Sequence, residues 1–381
     1  MENEPKKERP SARSLIRSVV DTCADCDICR FLMEDSCLFF PELYRLHDRE
    51  TEQKIPPGGE ELDRLADMCT LCGLCPCPNI RTDIVRSKAT RVRNCGLPLG
   101  LRMLADVQST GRLGSRVPKL INTVLQVDPA GKAAKHFAGI TQKRHLPKLP
   151  AEDFFSWAKR KHLTQKPDRL PAAAYFAGCT AGYLFPEVAK AAVKILEKNG
   201  LPVYIPQQQC CGMPTLLEGM ESLTRTRVQK NLSSLLAAAD AGFDLLTTCP
   251  TCGFFMKILL REGAHYSQDY QKAAGAGANE ICIPQTGSGK GGHTFLQKSI
   301  YGKILRDSPH FTGIDPLARI RLSEALLDMG EYLVRMHREG RFDTNLGCRE
   351  QRMAYFAPCH QREQHIGSPY EELLAFVPKL E

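Results

Sequence analysis

The sequence predicts an α+β chain of more than one domain, in which a helical N-terminal domain precedes an α/β domain. Its 381 residues are enough for two or three domains that each bury a core. Apolar residues recur at helical spacing in the first hundred residues, whereas residues 171–265 alternate short apolar runs with amphipathic stretches. This alternation is typical of parallel strands connected by helices.

Residues 1–14 are polar and are expected to be disordered, and residues 15–105 are expected to form the helical domain. Leucines stand among charged residues on both sides of a Pro-Pro-Gly-Gly turn at 56–59. This pattern predicts two helices around the turn. Further helices are predicted over residues 80–92 and 97–104.

Two groups of four cysteines lie in this helical domain. They are Cys23, Cys26, Cys29 and Cys37, then Cys69, Cys72, Cys75 and Cys77. Three thiols in a C-x-x-C-x-x-C arc can bind three irons of one [4Fe-4S] cluster, and in two-cluster ferredoxins the fourth cysteine of each run binds the other cluster. We therefore expect a helical ferredoxin domain with two [4Fe-4S] clusters. One would be held by Cys23, Cys26, Cys29 and Cys77, and the other by Cys69, Cys72, Cys75 and Cys37.

Two alternatives to this assignment stay open. Structural zinc sites normally use pairs of cysteines rather than triplets, which favours iron. In addition, one residue separates Cys75 from the final Cys77-Pro78, where the usual run has three. Cys95 could replace Cys77, although a lone cysteine is more often a small buried apolar residue.

Residues 106–170 are expected to be a basic connector, irregular but with amphipathic pieces. Residues 81–169 contain 19 Lys and Arg against 6 Asp and Glu, in a chain of net charge +8. Such a surplus could dock on anionic lipid headgroups or on an acidic partner, or it could be a solvated surface. Trp157 is predicted to be a packing anchor in a short helix.

Residues 171–265 are predicted to form a parallel α/β layer with ligands at the carboxyl ends of its strands. Strands are predicted over residues 172–176, 203–205 and 243–247, a helix over 186–198, and one or two helices over 216–239. Five thiols follow the strands: Cys179, Cys210, Cys211, Cys249 and Cys252.

Dense cysteines in a large intracellular chain indicate metal binding rather than disulfides. Five sulfurs exceed the four ligands of a zinc site, whereas an iron-sulfur cluster accepts thiolates from distant loops. A third iron-sulfur cluster is therefore predicted at these five residues.

Residues 266–350 are expected to contain connecting helices, with helical periodicity over 316–338, and a glycine-rich loop. The loop, 287–292, lacks the pattern of a phosphate-binding P-loop. Residues 354–359 then repeat residues 174–179, which identifies an internal repeat. Because 22 residues remain after Cys359, residues 351–381 form an incomplete second module. Its strand and helix are expected to pack on the first module, with Cys359 and His360 at most lining the cluster pocket.

The pattern Cys179, Cys210-Cys211-Gly212, Cys249-x-x-Cys252 resembles the cysteine-rich CCG domain found in heterodisulfide reductase. With two ferredoxin groups in front, the order resembles the iron-sulfur subunit of anaerobic glycerol-3-phosphate dehydrogenase and its relatives. The resemblance implies that the ferredoxin clusters carry electrons and that the CCG half lies at the far end of the relay. Members normally have two complete CCG modules.

The expected function is electron transfer within an oxidoreductase complex. Electrons would enter from a flavoprotein dehydrogenase or similar partner and leave to a quinone or a disulfide acceptor. No side chain is assigned as a general base or nucleophile, because any chemistry belongs to the metal. A stand-alone thiol-disulfide reductase and a zinc-binding interaction protein are the alternatives. No aromatic-studded basic motif accompanies the connector, so no nucleic-acid partner is expected.

We expect a cytoplasmic protein, with peripheral attachment to the cytoplasmic face of a membrane as an open alternative. The chain has no run of eighteen apolar residues, and residues 1–17 carry charges of both signs without an apolar signal core.

Overall fold

The fold is mixed helix and sheet, with 56% of the described residues helical, which confirms the predicted α+β class. The structure is a computed structural model that describes residues 10–285 and 292–381. Residues 287–291 of the predicted glycine-rich loop therefore lie outside the described residues. The chain divides into two compact units: residues 1–97 with 214–221, and residues 98–213 with 222–381.

The described part of the first unit contains helices and no strand before residue 98. The helices are α1 (Ala12–Cys26), α2 (Ile28–Leu32), α3 (Phe39–Gln53), α4 (Gly59–Met68) and α5 (Pro78–Cys95). α1 packs on α3, α4 and α5, and the two helices predicted around the Pro-Pro-Gly-Gly turn are α3 and α4. Residues 12–14 were predicted to be disordered, but α1 includes them because the Ser11 side chain caps the backbone N–H of Ser14. Residues 1–9 lie outside the described part.

The predicted connector is more helical than its sequence indicated. After α6 (Leu99–Ala105), which corresponds to the helix predicted over residues 97–104, the connector contains α7 (Val107–Gly114), α8 (Pro118–Gln126), α9 (Asp128–Phe137) and α10 (Phe154–Arg160). Local capping explains the difference. Asp106 and Asp153 accept backbone hydrogen bonds at the starts of α7 and α10, and α8 and α9 carry proline in their first turns.

A parallel four-stranded sheet lies at the centre of the second unit, with strand order β2-β1-β3-β6. In chain order the strands are β1 (Ala173–Phe176), β2 (Val203–Tyr204), β3 (Asp244–Thr247), β4 (Glu280–Pro284), β5 (His293–Gln297) and β6 (Leu326–Asp328); β4 and β5 form a separate antiparallel pair. β1, β2 and β3 are the three predicted strands, each ending or beginning within one residue of the prediction.

β6 was not predicted, because residues 316–338 were interpreted as one helical stretch. The structure contains two helices there, separated by β6. Leu326 and Asp328 are buried in β6, and the strand pairs with β3 from Leu245↔Leu326 onward. Pairing at the sheet edge therefore overrides the helical periodicity of the local sequence.

The remaining helices follow in chain order, and most of α13 belongs to the first unit. They are α11 (Gly178–Tyr183), α12 (Pro186–Lys198), α13 (Met213–Leu217), α14 (Glu221–Asp240), α15 (Pro250–Phe254), α16 (Gln268–Ala273), α17 (Lys298–Tyr301), α18 (Pro316–Ala325), α19 (Met329–Arg338), α20 (Cys359–Arg362) and α21 (Pro369–Leu374). A π-helical segment continues α15 over Phe255–Leu259, and short 3-10 turns occur at Ala264–Tyr266 and Pro309–Phe311. No helix among the described residues is long and apolar enough to span a bilayer.

The predicted strand of the second module does not form. Residues 352–358 have no regular secondary structure, and the Phe356 side chain is 78% exposed. The first copy buries this sequence by pairing β1 between β2 and β3, whereas no strand among the described residues pairs with residues 352–358. An apolar run without strand partners on either side cannot bury its backbone groups in a sheet. The helices of the second copy do pack: α20 contacts α15, and α21 contacts α19.

α10 anchors residues 106–170, the segment predicted to be a connector, to the core of the second unit. Phe154 is 0% exposed, and its ring centroid lies 5.7 Å from that of Trp157 and 6.0 Å from that of Tyr175 on β1. Trp157 packs against the same core, as predicted for a packing anchor. The segment is thus an integral part of the α/β unit.

Replacing Phe154 by Ala is expected to lower the free energy of unfolding by about 3–5 kcal/mol, because it removes a buried ring and leaves a cavity. Denaturant unfolding followed by circular dichroism measures the change. Phe137→Ala is the matched control, since that ring is 85% exposed, and its change should stay within about 0.5 kcal/mol. Equal effects of the two substitutions would contradict the packing described here.

Candidate functional site

The parallel sheet brings five cysteines to one edge. β1 leads into α11, which contains Cys179, and β3 leads to Cys249 and then to α15, which contains Cys252. Cys210 and Cys211 lie in the loop after β2. Because parallel strands point the same way, their three carboxyl-end loops meet.

The five sulfurs form a continuous chain of neighbours. Cys179 Sγ and Cys210 Sγ are 3.3 Å apart. Hydrogen bonds then join the thiol of Cys210 to that of Cys211, Cys211 to Cys252, and Cys252 to Cys249. Cys249 is partly exposed and the other four are buried. All five predicted thiols are therefore in one place, from three separate loops.

These contacts split the thiols into two kinds. Hydrogen bonds from Cys179 and Cys211 hold the pKa of Cys210 well below its usual range. A hydrogen bond from Cys252, with backbone N–H groups of Thr251 and Cys252, lowers the pKa of Cys249 to about 7. Hydrogen bonding to these neighbours and burial raise the pKa of Cys179, Cys211 and Cys252. Two thiols are thus prepared to be thiolates, the form that binds metals.

Glycine is required at one close approach in this site. Gly178 has φ +72°, and a Cβ atom at this position would lie 2.9 Å from Cys252 Sγ. Any other residue would strain the turn between β1 and α11 and push on a predicted ligand.

Polar side chains that the sequence analysis did not identify hold the cysteine loops. Gln208 Oε1 accepts hydrogen bonds from the backbone N–H groups of Ala177 and Gly178, at 2.9 and 3.3 Å. Asn231 Oδ1 accepts from Gln209 N at 2.7 Å, and Asn231 Nδ2 donates to the Cys210 carbonyl at 3.2 Å. In the sequence, the one feature that indicates such polar side chains is the run of three glutamines at 207–209, directly before Cys210.

The predicted connector also contributes to the site. Gln108, buried on α7, accepts a hydrogen bond from Cys210 N at 2.6 Å and donates to Gln209 Oε1 at 2.6 Å. Two residues earlier, the Asp106 carboxylate pairs with the guanidinium of Arg227 on α14. No spacing rule links residues about a hundred positions apart, so these contacts depend on tertiary structure.

α20 and the residues after it cover the helix that contains Cys252. His360 Nδ1 is 2.9 Å from Thr251 Oγ1, and its ring stacks on Phe254 with centroids 4.7 Å apart. Gln364 Nε2 donates to the Pro250 carbonyl at 3.1 Å. α20 therefore lines the outside of α15, and Cys359 at its start is partly exposed.

The N-terminal cysteines surround a second site in the first unit. A cavity of about 50 Å³ is lined by Thr22, Cys23, Cys26, Cys29, Phe40, Tyr44, Cys75, Pro76, Cys77 and Ile80. Four of the five cysteines here are those predicted for one cluster, and Cys75 is the exception.

The cysteines that affect each other's pKa show which thiols of the two N-terminal groups lie close together. Burial raises the pKa of Cys23 to about 12, with smaller contributions from Cys29, Cys77 and Cys26. Burial likewise raises the pKa of Cys75 to about 12, followed by contributions from Cys69, Cys72 and Cys37. Each triplet therefore lies near the fourth cysteine of the other run, although Cys29 is also close enough to Cys37 to be affected by it.

Two buried cations lie beside the second group. Arg81 Nη1 donates to the carbonyls of Gly73 and Cys75, at 3.0 and 2.9 Å, and Lys88 Nζ donates to the Cys69 carbonyl at 3.2 Å. These positive charges favour a negatively charged group at the adjacent thiols. In the sequence alone, both residues are only part of the basic surplus over residues 81–169.

Cys95 and Cys282 lie outside these groups and differ in their exposure. Cys95 is exposed at the end of α5, so its interpretation as a buried apolar residue was wrong; the chain leaves α5 there and the thiol stays at the surface. Cys282 is buried in β4. Across residues 10–285 and 292–381, no three His, Cys, Asp or Glu side chains are arranged to hold a single metal ion.

Comparison with known proteins supports the cysteine site. Residues 173–257 match the cysteine-rich domain family CCG. One of the subunits of anaerobic glycerol-3-phosphate dehydrogenase from Escherichia coli K12 is 25% identical over 157 residues, which are 41% of this chain and 39% of that protein. One of the subunits of the fumarate reductase (CoM/CoB) of Methanothermobacter marburgensis is 32% identical over 85 residues, 22% of this chain and 16% of its own length.

An uncharacterized iron-sulfur protein of Methanocaldococcus jannaschii is 32% identical over 102 residues, 25% of this chain and 20% of its own length. The chain thus matches about two fifths of the length of the first of these relatives and less of the other two. No solved structure matches the chain. The chain therefore contains a CCG cysteine-rich domain and is homologous, over part of its length, to subunits of a dehydrogenase and a reductase and to an iron-sulfur protein.

Proposed function

We propose that the protein relays electrons through iron-sulfur clusters within an oxidoreductase complex. Two [4Fe-4S] clusters would be bound by the N-terminal cysteines, and a further iron-sulfur cluster by the five cysteines at the sheet edge. The observation that carries the proposal is the chain of five neighbouring sulfurs, drawn from three loops. When bound, such clusters take up and release single electrons.

The donor set suits a cluster better than a single zinc ion. A zinc site is closed by four ligands, whereas five thiols from three loops are neighbours here. Iron-sulfur clusters distribute thiolate ligands around a larger body, so loops from three strands can each reach it. The relatives support the same choice, since one is named as an iron-sulfur protein.

The side chains around the thiols would orient and shield the bound groups. Phe40 and Tyr44 wall the N-terminal cavity, and the Tyr44 hydroxyl donates to the Cys23 carbonyl at 3.2 Å. At the sheet edge, Gln208 and Asn231 fix the loops through backbone hydrogen bonds. Exclusion of water and fixed dipoles both influence the reduction potential of a cluster.

An apolar patch beside the first cysteine group would receive a redox partner. Phe31 is 77% exposed on α2, and Ile28, Leu32 and Leu38 are exposed near it along the chain. Cys26 is also exposed there. We propose a flavoprotein dehydrogenase or similar protein as this partner, and a quinone or a disulfide as the terminal acceptor. The names of two relatives, subunits of a dehydrogenase and a reductase, support a partner of this kind.

A thiol-disulfide reductase is the second candidate. Cys249 favours it, because this thiol is partly exposed and has a pKa lowered to about 7. Turnover of a disulfide by the isolated chain, supplied with a chemical electron donor, would distinguish this activity from a pure relay.

Cys210→Ser is expected to remove one cluster's worth of iron from anaerobically purified protein and to abolish one EPR signal, because Cys210 lies within the sulfur chain. Cys359→Ser is the matched control and should leave iron content and spectrum unchanged. Iron and zinc are counted together by elemental analysis. Stoichiometric zinc in place of iron would refute the proposal, and iron loss in the Cys359 variant would show that the cluster is shared with the second module.

Crossed ligation predicts that Cys37 and Cys72 serve one cluster and Cys26 the other. The double variant Cys37→Ala with Cys72→Ala should therefore lose no more iron than Cys72→Ala alone, about four atoms. Cys37→Ala combined with Cys26→Ala should lose both clusters, about eight atoms. The reverse pattern would show that each run binds its own cluster, and Cys95→Ala is the control that should lose none.

The connector helices are proposed to attach the protein to the cytoplasmic face of a membrane. No residue of α8 is buried, and Leu113, Leu120 and Val124 are exposed apolar residues on α7 and α8. Arg116 and Lys119 are exposed between them. Exposed apolar side chains with basic neighbours are typical of helices that lie in a membrane interface.

Replacing both Arg116 and Lys119 by Glu is expected to weaken binding to anionic phosphatidylserine vesicles about tenfold or more, because each basic residue near the surface contributes about 1 kcal/mol. Vesicle sedimentation at low and high salt measures the binding. High salt should release the wild-type protein, because it screens exposed charges. Lys272→Glu, at an exposed position on α16, is the control. Binding that is insensitive to salt and to the double substitution would indicate purely hydrophobic docking.

A further inference from the structure

A buried arginine lies behind the paired cysteines. Arg227 on α14 is 4% exposed, and its Nη2 donates to the Asp106 carboxylate at the start of α7. Its Nη1 is buried and has no hydrogen-bond partner among the described residues. A buried guanidinium with an unused donor is costly unless a further negative group balances it.

The helix that carries Arg227 faces the Cys210 loop. Asn231 follows Arg227 by four residues, so the two side chains share one face of α14. Asn231 donates to the carbonyls of Gln209 and Cys210, at 3.3 and 3.2 Å. Arg227 is therefore on the side of α14 that holds this loop.

The partner of Arg227 is fixed to the same loop from the other side. Asp106 caps α7 by accepting a hydrogen bond from Ser109 N at 3.1 Å. Gln108 Oε1, on the same helix, accepts a hydrogen bond from the backbone N–H of Cys210. The Asp106–Arg227 pair thus joins the two helices that hold the paired cysteines.

We infer that Arg227 is the counter-charge that sets the reduction potential of the iron-sulfur group bound at Cys210, and that Asp106 limits how much of its positive charge that group experiences. The inference rests on the proposed function. A one-electron reduction without proton uptake would make such a bound group one unit more negative. A nearby buried cation stabilises that product more than the oxidised form, since little water screens the interaction.

A merely structural role for the pair predicts different results from an electrostatic one. If Arg227 only ties α7 to α14, then breaking the pair from either side should have the same consequence. If its charge acts on the bound group, removing the arginine charge and removing the aspartate charge should move the potential in opposite directions. The sign of the shift therefore separates the two roles.

The test is an EPR-monitored redox titration of the anaerobically purified full chain, with dithionite as reductant, following the signal that Cys210→Ser abolishes. Arg227→Gln should lower its midpoint potential by at least a tenfold change in the reduction equilibrium, about 59 mV for one electron. Asp106→Asn should raise it, and Arg227→Lys should stay close to wild type because the charge remains.

Arg321→Gln is the matched control, because Arg321 forms an exposed pair with Asp240 in the same unit, and it should leave the potential unchanged. Shifts of the same sign in Arg227→Gln and Asp106→Asn, or no shift in either, would overturn the inference. If Arg227→Gln fails to fold, Asp106→Asn and Arg227→Lys decide by themselves. Absence of that iron signal from the wild-type chain would instead refute the proposed function.

Discussion

The parallel pairing of β1 with β3 is the constraint on which the cysteine site depends. The register from Ala173↔Asp244 to Phe176↔Thr247 makes both strands end at the same level. Two cysteine-bearing turns then start side by side, and the close approach at Gly178 brings Cys252 against the β1 turn. β2 supplies the third loop from the other side of β1. A shift of this register would separate the loops and leave the thiols without their neighbours.

Charge balance explains why so many polar groups surround buried thiols. Thiolates in a dry site are unfavourable unless donors or cations face them. At the sheet edge, backbone N–H groups at the start of α15 lower the pKa of Cys249, and Arg227 acts in the same direction on Cys210. At the second N-terminal group, Arg81 and Lys88 oppose the burial that raises the pKa of Cys75 and Cys69.

A repeated sequence behaves differently where no strand of the described residues pairs with it. Residues 353–356 differ from β1 only in having Met353 where β1 has Ala173, yet they lie exposed and irregular. The helices that follow this segment still pack on the first copy. α20 contacts α15 and places His360 against Thr251 and Phe254. The same local sequence is a buried central strand in one place and an exposed segment in the other.

The cysteines, their spacing and the strand-loop-helix order around them could be predicted from the sequence, because ligand identity and hydrophobic periodicity are local properties. Those properties located α12 to the residue and identified the five thiols that converge. Tertiary packing was needed to bring Leu326–Asp328 into the sheet, and to bring Gln108, Arg227 and Asn231 together around the Cys210 loop. These outcomes depend on partners far along the chain, and local periodicity carries no information about which distant partner will be available.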